Sequence, residues 1–169
     1  MNAERNNDIY WIPTSRITSI LKELRAKHAL VVDDDEAVLD LTRELLLRGG
    51  FEVVTARGGR EALEILRVDA ERKIDAAVLD LAMPGMDGIE TLRRIKEEDP
   101  ELQVILLTGH ASLEKGIEAM KFGAMDFLEK PARIQELMEK IEQAKAKRML
   151  VVERQMEEKL KDILQSKGW

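Results

Sequence analysis

The chain has 169 residues, of which 44% are hydrophobic and 36% are charged, and its formal net charge is −6. This length suits one domain with additions, and the negative charge argues against non-specific nucleic-acid binding, because no cationic surplus is available to neutralise phosphates. The absence of cysteine, with only two histidines (His28 and His110), excludes thiolate catalysis and cysteine- or histidine-rich metal sites. No apolar run approaches the roughly 20 residues that span a bilayer, and no signal-peptide core precedes residue 9, so we expect a cytoplasmic protein.

Residues 1–27 are interpreted as an N-terminal extension. An apolar patch at residues 9–12 is followed by Thr14 or Ser15, either of which could cap a short helix that runs to Lys27. One face of this predicted helix carries Ile17, Ile20, Leu21 and Leu24 at helical spacing.

Five short apolar runs then alternate with amphipathic helical patterns over residues 28–146. The predicted strands are 29–32, 51–55, 76–79, 102–107 and 125–128. Uninterrupted apolar runs are typical of strands that are covered on both faces of a parallel sheet. Because the connections are short, this alternation predicts an α/β domain: a doubly wound, five-stranded parallel sheet with helices on both faces.

The helical patterns have recognisable ends. Gly49 and Gly50 are predicted to end the first helix, and Asp87 is predicted to cap the helix that follows the third strand and runs to about Glu98. The inner side of the first helix is predicted to contain Ala37, Val38, Leu41, Leu45 and Leu46.

A long helical pattern follows Pro131 and continues to about Ser166 without Gly or Pro. Its first part has an apolar face formed by Ile134, Leu137, Met138, Ile141 and Ala144. Its second part, after a phase slip near Lys147, carries Met149, Val152, Met156, Leu160 and Ile163. We therefore predict a C-terminal helical extension at residues 147–169, which forms a coiled-coil-like seam in a homodimer, with the N-terminal helix or with a partner helix. The alternative is a solvated extension with no partner.

Polar side chains follow four of the predicted strands. Asp33 and Asp34 follow the first strand, Asp80 the third, Thr108 the fourth and Lys130 the fifth. The carboxyl ends of parallel strands share one edge of the sheet, so these side chains should converge. Three adjacent carboxylates repel one another unless a cation joins them, and Mg²⁺ is the hard cation that fits such oxygen ligands. A hydroxyl and an ammonium group beside them could orient and neutralise a phosphoryl group on an Asp oxygen.

The segment from about His28 to Lys145 resembles the receiver domain of the bacterial two-component response regulators, the chemotaxis-regulator-like family. The matching pieces are Val31-Val32-Asp33-Asp34, Leu79-Asp80, Met83-Pro84-Gly85-Met86-Asp87-Gly88, Leu107-Thr108-Gly109 and Leu128-Glu129-Lys130-Pro131. The resemblance implies a flavodoxin-like sheet with the strand order 2-1-3-4-5.

The resemblance also implies how the carboxylates are used. Asp80 matches the phosphoacceptor, which receives a phosphoryl group from a sensor histidine kinase or a phosphotransfer protein. Asp33 and Asp34 match the acidic pair that holds Mg²⁺, with Asp80 and the backbone carbonyl of Ala82 as the other protein ligands. Many members carry a polar side chain at the position of Ala82, and its replacement by a methyl group should alter the access of water to the phosphoaspartate.

Three further residues match the family's switch. Thr108 matches the hydroxyl that moves to the phosphoryl group, Phe127 matches the aromatic residue that follows this movement, and Lys130 matches the lysine that contacts the phosphoryl group. The Lys130–Pro131 peptide bond is expected to be cis. Phe127 lacks the hydroxyl of the common tyrosine, so its two states should differ mainly in buried apolar area.

The function implied is that of a stand-alone response regulator, which is not an enzyme but assists its own Mg²⁺-dependent phosphorylation and dephosphorylation. The pattern after Pro131 contains no helix-turn-helix, so signalling is expected through protein contact and not through nucleic acid. One alternative is a phosphorylation-independent scaffold that uses the helical tail. A second is a haloacid-dehalogenase-like phosphatase with Asp33 as nucleophile, although that class requires a further acidic pair at a strand end after the lysine, and the pattern after Lys130 is helical.

Overall fold

Five parallel strands form one sheet in the computed structural model, which describes residues 13–17, 27–69, 74–109 and 113–166. The strands are β1 (Lys27–Val32), β2 (Phe51–Ala56), β3 (Ala76–Asp80), β4 (Gln103–Thr108) and β5 (Asp126–Glu129). The helices are α1 (Glu36–Arg48), α2 (Gly59–Val68), α3 (Gly88–Glu98), α4 (Leu113–Lys121) and α5 (Ile134–Ser166). The order in the sheet is β2-β1-β3-β4-β5, and every pairing is parallel. The predicted fold class and strand order are therefore confirmed.

The N-terminal prediction is only partly covered by the described residues. Residues 14–17 are helical, and the amide of Arg16 donates to the carbonyl of Pro13 at 2.8 Å. The apolar patch at 9–12 and the remainder of the predicted helix, residues 18–26, lie outside the described residues. The boundaries of the extensions, at residues 27 and 146, stay predictions.

Two apolar layers cover the sheet, one on each face. Leu30, Leu79 and Leu106 point towards α2 and α3, where they meet fully buried residues such as Leu92 and Ile95. On the opposite face, the layer beneath α1 and α5 contains Val31, Val78, Ile105, Leu46 and Ile141. Successive strand residues thus point into opposite layers. Because both layers are apolar, the strand sequences are continuously apolar.

The predicted inner side of α1 was wrong in part. Leu39 and Leu46, seven residues apart, are the buried residues of this helix, whereas Ala37 is exposed and Leu41 is 58% exposed. Leu41 instead forms part of the wall of a groove of about 520 Å³ between α1 and the start of α5. The predicted ends of α1 are confirmed, since Gly49 is the C-cap and Gly50 has a φ of +83°.

Helix α5 has the predicted length, and about the first two thirds of the helix contact the domain. Leu137, Ile141 and Ala144 are buried against the sheet. Arg148, only 5% exposed, donates from Nη2 to Oδ2 of Asp99 at 3.0 Å. About two turns further on, Gln155 donates to Oε1 of Glu101 at 3.2 Å. The loop between α3 and β4 therefore holds the helix in a fixed orientation. No helix in the described ranges is long and apolar enough to cross a membrane.

Candidate functional site

The end of β1 places one carboxylate inside the domain and a second one outside it. Asp33 is 2% exposed, whereas Asp34 is exposed at the mouth of the site. The amide of Asp35 donates to Oδ1 of Asp33 at 2.9 Å, and the side chain of Asp35 accepts from the first amides of α1. Asp35 therefore caps α1 and orients Asp33. Sequence reasoning missed this role, although an Asp directly before a helical pattern is an N-cap signal.

The end of β3 buries Asp80, which is 6% exposed. The amide of Ala82 donates to Oδ1 of Asp80 at 3.3 Å. After the loop that follows Ala82, the chain comes back to the end of β3. There the amide of Gly88 donates to the carbonyl of Leu81 at 3.1 Å. A Cβ atom on Gly88 would lie 2.6 Å from the carbonyl oxygen of Asp80. The start of α3 thus packs directly on the backbone that carries the carboxylate, a contact that sequence reasoning did not foresee.

Three carboxylates meet at this edge. Each of Asp33, Asp34 and Asp80 offers one oxygen, and these oxygens lie within 4.8 Å of one another. Burial raises the pKa of Asp80 above its usual value; the charge of Asp33 adds to this effect, and Lys130 opposes it. A cation would relieve the repulsion. The donor set is entirely oxygen and is open at Asp34, so it fits a hard divalent ion such as Mg²⁺ that retains several waters.

Lys130 lies between the two buried carboxylates. Its Nζ atom is 3.0 Å from Oδ2 of Asp33 and 3.1 Å from Oδ2 of Asp80. Burial lowers the pKa of this ammonium, but its hydrogen bonds to the two carboxylates outweigh that effect, and the net pKa is raised. The following peptide bond, to Pro131, is cis, as the resemblance implied. Lys130 thus remains charged and supplies a positive charge beside the Asp80 carboxylate.

Thr108 and Phe127, which the family resemblance assigns to the switch, form a second group beside the carboxylates. Thr108 is buried, and its hydroxyl donates to the carbonyl of Leu128 at 3.5 Å, which is a long and weak hydrogen bond. Phe127 is partly buried against the layer under α2 and α3. A Cβ atom on Gly116 of α4 would lie 3.4 Å from the Phe127 ring and 3.6 Å from the Thr108 methyl group. The backbone of α4 therefore packs close to both Thr108 and Phe127.

The structure brings together most of the residues that the sequence singled out. Asp33, Asp34, Asp80 and Lys130 form one cluster, and Thr108 is linked to it because its carbonyl accepts the Lys130 amide at 2.7 Å. His110 lies outside the described residues. His28 is far from the cluster, at the opposite end of β1, where its Nε2 lies 2.7 Å from a carboxylate oxygen of Glu52.

A family model for the response regulator receiver domain matches residues 29–142. The chain belongs to this family. It is 41% identical over 117 residues to the transcriptional regulatory protein ZraR of Escherichia coli O157:H7, an alignment that covers 69% of this chain and 26% of ZraR. It is 38% identical over 114 residues to the DNA-binding transcriptional regulator NtrC of Escherichia coli K12, covering 68% of this chain and 24% of NtrC.

Solved structures support the same assignment. A response regulator receiver domain protein from Clostridium thermocellum matches with a TM-score of 0.71 and 38% identity, covering 73% of this chain and 98% of that one. By contrast, the present chain spans about a quarter of the length of ZraR and NtrC. Since these two relatives are named as transcriptional regulators, the expectation that this receiver acts without nucleic acid stays a prediction.

Proposed function

We propose that this receiver accepts a phosphoryl group on Asp80 from a histidine kinase or a phosphotransfer protein. The observation that supports this proposal most directly is the buried Asp80 carboxylate, which has two further carboxylates within 4.8 Å and an ammonium group at 3.1 Å. A bare acidic cluster would repel an anionic phosphoryl group. A cluster that includes Lys130 and fits a divalent cation can neutralise it.

In the proposed transfer, a carboxylate oxygen of Asp80 attacks the phosphorus of a phosphohistidine. The P–N bond breaks, its electron pair remains on the imidazole nitrogen, and that nitrogen takes up a proton from solvent. When bound, Mg²⁺ supplies charge neutralisation at the phosphoryl oxygens; its protein ligands would be Asp33, Asp34, Asp80 and the carbonyl of Ala82. Lys130 keeps its contact with Asp33 and donates to the incoming phosphoryl oxygen. The chemistry is thus assisted by the receiver, which is a signalling domain and not a turnover enzyme.

We propose that Thr108 converts the new phosphoryl group into a change at α4 and β5. Its bond to Leu128, at 3.5 Å, is weak and is easily exchanged for a bond to a phosphoryl oxygen. The methyl group of Thr108 and the ring of Phe127 both lie against Gly116. Movement of one side chain therefore changes the space that is available to the other. Helix α4 and its end carry exposed apolar side chains, Ile117, Met120 and Phe122, which suit an output surface that binds a protein partner.

Amide hydrogen exchange tests this switch. After incubation with Mg²⁺ and acetyl phosphate, we expect exchange in residues 113–129 to change by about fivefold, which corresponds to a shift of about 1 kcal/mol in local stability. Helix α2, which is separated from α4 by α3 on the same face of the sheet, should not change. The Thr108→Ala variant should still gain the phosphoryl group but should lose most of the exchange response. A phosphorylated wild type with unchanged exchange at 113–129 would contradict the switch and leave the acceptor assignment intact.

Two other readings were open from the sequence. Membership of the receiver family sets aside the phosphatase reading with Asp33 as nucleophile. The scaffold reading, in which the helical tail acts without phosphorylation, stays a prediction.

A further inference from the structure

Lys96, near the end of α3, lies between the end of α4 and the loop that leads to β4. The backbone of Gly123, just after α4, lies against its aliphatic stem, since a Cβ atom on Gly123 would be 3.6 Å from Cε of Lys96. The ammonium group donates to the carbonyls of Pro100 and Leu102 at 3.1 and 2.7 Å. Burial, and next the charge of Lys147, lower the pKa of Lys96. One half-buried side chain therefore joins the end of α4 to the α3–β4 loop.

Helix α4 contacts the predicted switch at its middle and α3 at its end. A Cβ atom on Gly116 would lie 3.4 Å from the ring of Phe127. About two turns further on, Gly123 meets Lys96. The guanidinium carbon of Arg93 lies 5.2 Å from the centroid of the Phe122 ring, so a second side chain of α3 packs on the same end of α4. A shift of α4 at its middle must therefore be felt by α3 and by the loop that follows it.

The same loop holds α5 where that helix leaves the sheet. The carboxylate of Asp99 accepts a hydrogen bond from Arg148, and the carboxylate of Glu101 accepts one from Gln155. Nη1 of Arg148 is buried and has no hydrogen-bond partner among the residues that the structure describes. A buried donor without a partner makes an arrangement costly, so a small displacement of the loop can change this contact.

We propose that Lys96 couples the movement of α4 to the direction in which the second part of α5, residues 149–166, leaves the domain. This inference rests on the proposed function, because phosphorylation of Asp80 has to move α4 first. Coupling between distant sites is carried by contiguous side chains and hydrogen bonds that have two arrangements. Here the contacts run from α4 through Lys96 and the loop to Arg148. Lys96 is a positioning residue, because it acts at the amino end of β4, whereas the carboxylates lie at the carboxyl ends of the strands.

Amide hydrogen exchange of the full chain, with and without Mg²⁺ and acetyl phosphate, tests the coupling. In the wild type we expect phosphorylation to change exchange in residues 149–156 by about threefold, in addition to the change at 113–129. Lys96→Met keeps an apolar stem against Gly123 but removes both hydrogen bonds to the loop. It should keep the response at 113–129 and lose the response at 149–156. Lys96→Arg, which retains hydrogen-bond donors and the charge, should keep both responses.

Two further variants make the experiment specific. Lys121→Met is the matched control, because it makes the same change at an exposed lysine at the end of α4, and the response at 149–156 should be unchanged. Asp99→Ala removes the carboxylate that Arg148 binds and should also abolish the response at 149–156. Circular dichroism shows whether each variant is folded, and Asp99→Ala carries the test if Lys96→Met does not fold.

The outcomes separate this inference from the proposed function. A phosphorylated wild type that responds at 113–129 but not at 149–156 would overturn the coupling and leave the switch intact. A response at 149–156 that survives in folded Lys96→Met would also overturn the inference, since the signal would then take another route. If the phosphorylated wild type responds at neither segment, the proposed switch fails and the coupling fails with it.

Discussion

Replacement of Asp33 by asparagine is expected to slow Mg²⁺-dependent phosphorylation of Asp80 by about 100-fold, because the cation would lose a buried carboxylate ligand. Asparagine keeps the shape of the side chain and can still accept the Asp35 amide bond. The substitution removes one negative charge from a side chain that is 2% exposed and has an oxygen within 4.8 Å of one of Asp80. The rate of adduct formation with acetyl phosphate, followed by intact mass over a range of Mg²⁺ concentrations, measures the effect.

Protonation of Asp80 cannot explain such a loss. The charge of Asp33 contributes to the raised pKa of Asp80, so its removal lowers that pKa and leaves more of the nucleophilic carboxylate at neutral pH. Any loss of rate must then come from the cation or from the orientation of the phosphoryl group.

Asp35→Asn provides a matched control for this experiment. It removes the same charge two residues away, and asparagine is as good an N-cap for α1 as aspartate, so we expect a change of less than about threefold. If the two variants lose the same amount of activity, general charge and not a ligand at Asp33 governs the rate, and the magnesium site is wrongly placed.

Gly88→Ala is expected to reduce the free energy of unfolding by about 3 kcal/mol, since the added carbon would have to displace backbone. The new Cβ would meet the carbonyl oxygen of Asp80 at 2.6 Å and the Cα of Leu81 at 2.7 Å. Both are backbone atoms and cannot rotate away, because Asp80 is paired with β4 and the amide of Leu81 donates to the carbonyl of Leu107 at 3.0 Å. Urea denaturation followed by circular dichroism gives the change.

Gly58→Ala is the comparison for this stability measurement. Gly58 precedes α2 with extended backbone, and nothing lies within 4 Å of a Cβ atom placed there. Its cost should stay below about 1 kcal/mol, the usual difference between glycine and alanine at an N-cap. Equal costs at the two positions would mean that α3 is free to move away from the end of β3.

The parts of this structure that follow from local pattern could be predicted from the sequence. The run Ala76–Leu79 is continuously apolar because it is buried on both faces, and the residue that follows it, Asp80, necessarily lies at the carboxyl edge. Parallel strands bring their ends together, so the convergence of Asp33, Asp80 and Lys130 required only the order of the elements. The specific roles assigned to these residues came from the family resemblance and stay proposals.

Features that depend on the relative placement of elements could not be predicted. Leu41 fits the periodicity of the inner face of α1, but the side that faces inward depends on where α5 lies, and a groove remains there. The pairing of Arg148 with Asp99 joins positions 49 residues apart. The packing role of Gly116 could not be predicted from its neighbours in sequence, because a glycine inside a helical pattern usually only lowers the helix propensity. Its contact with Phe127 depends on the packing of α4 on β5.

The most direct test of the account is the intact mass of the wild type and of Asp80→Asn after incubation with Mg²⁺ and acetyl phosphate. We predict a single phosphoryl adduct on the wild type, labile to hydroxylamine as an acyl phosphate should be, and no adduct on Asp80→Asn. Omission of Mg²⁺ should suppress the adduct on the wild type. A wild type that gains no adduct, or an adduct of the same yield on Asp80→Asn, would contradict the assignment of Asp80 as the phosphoacceptor.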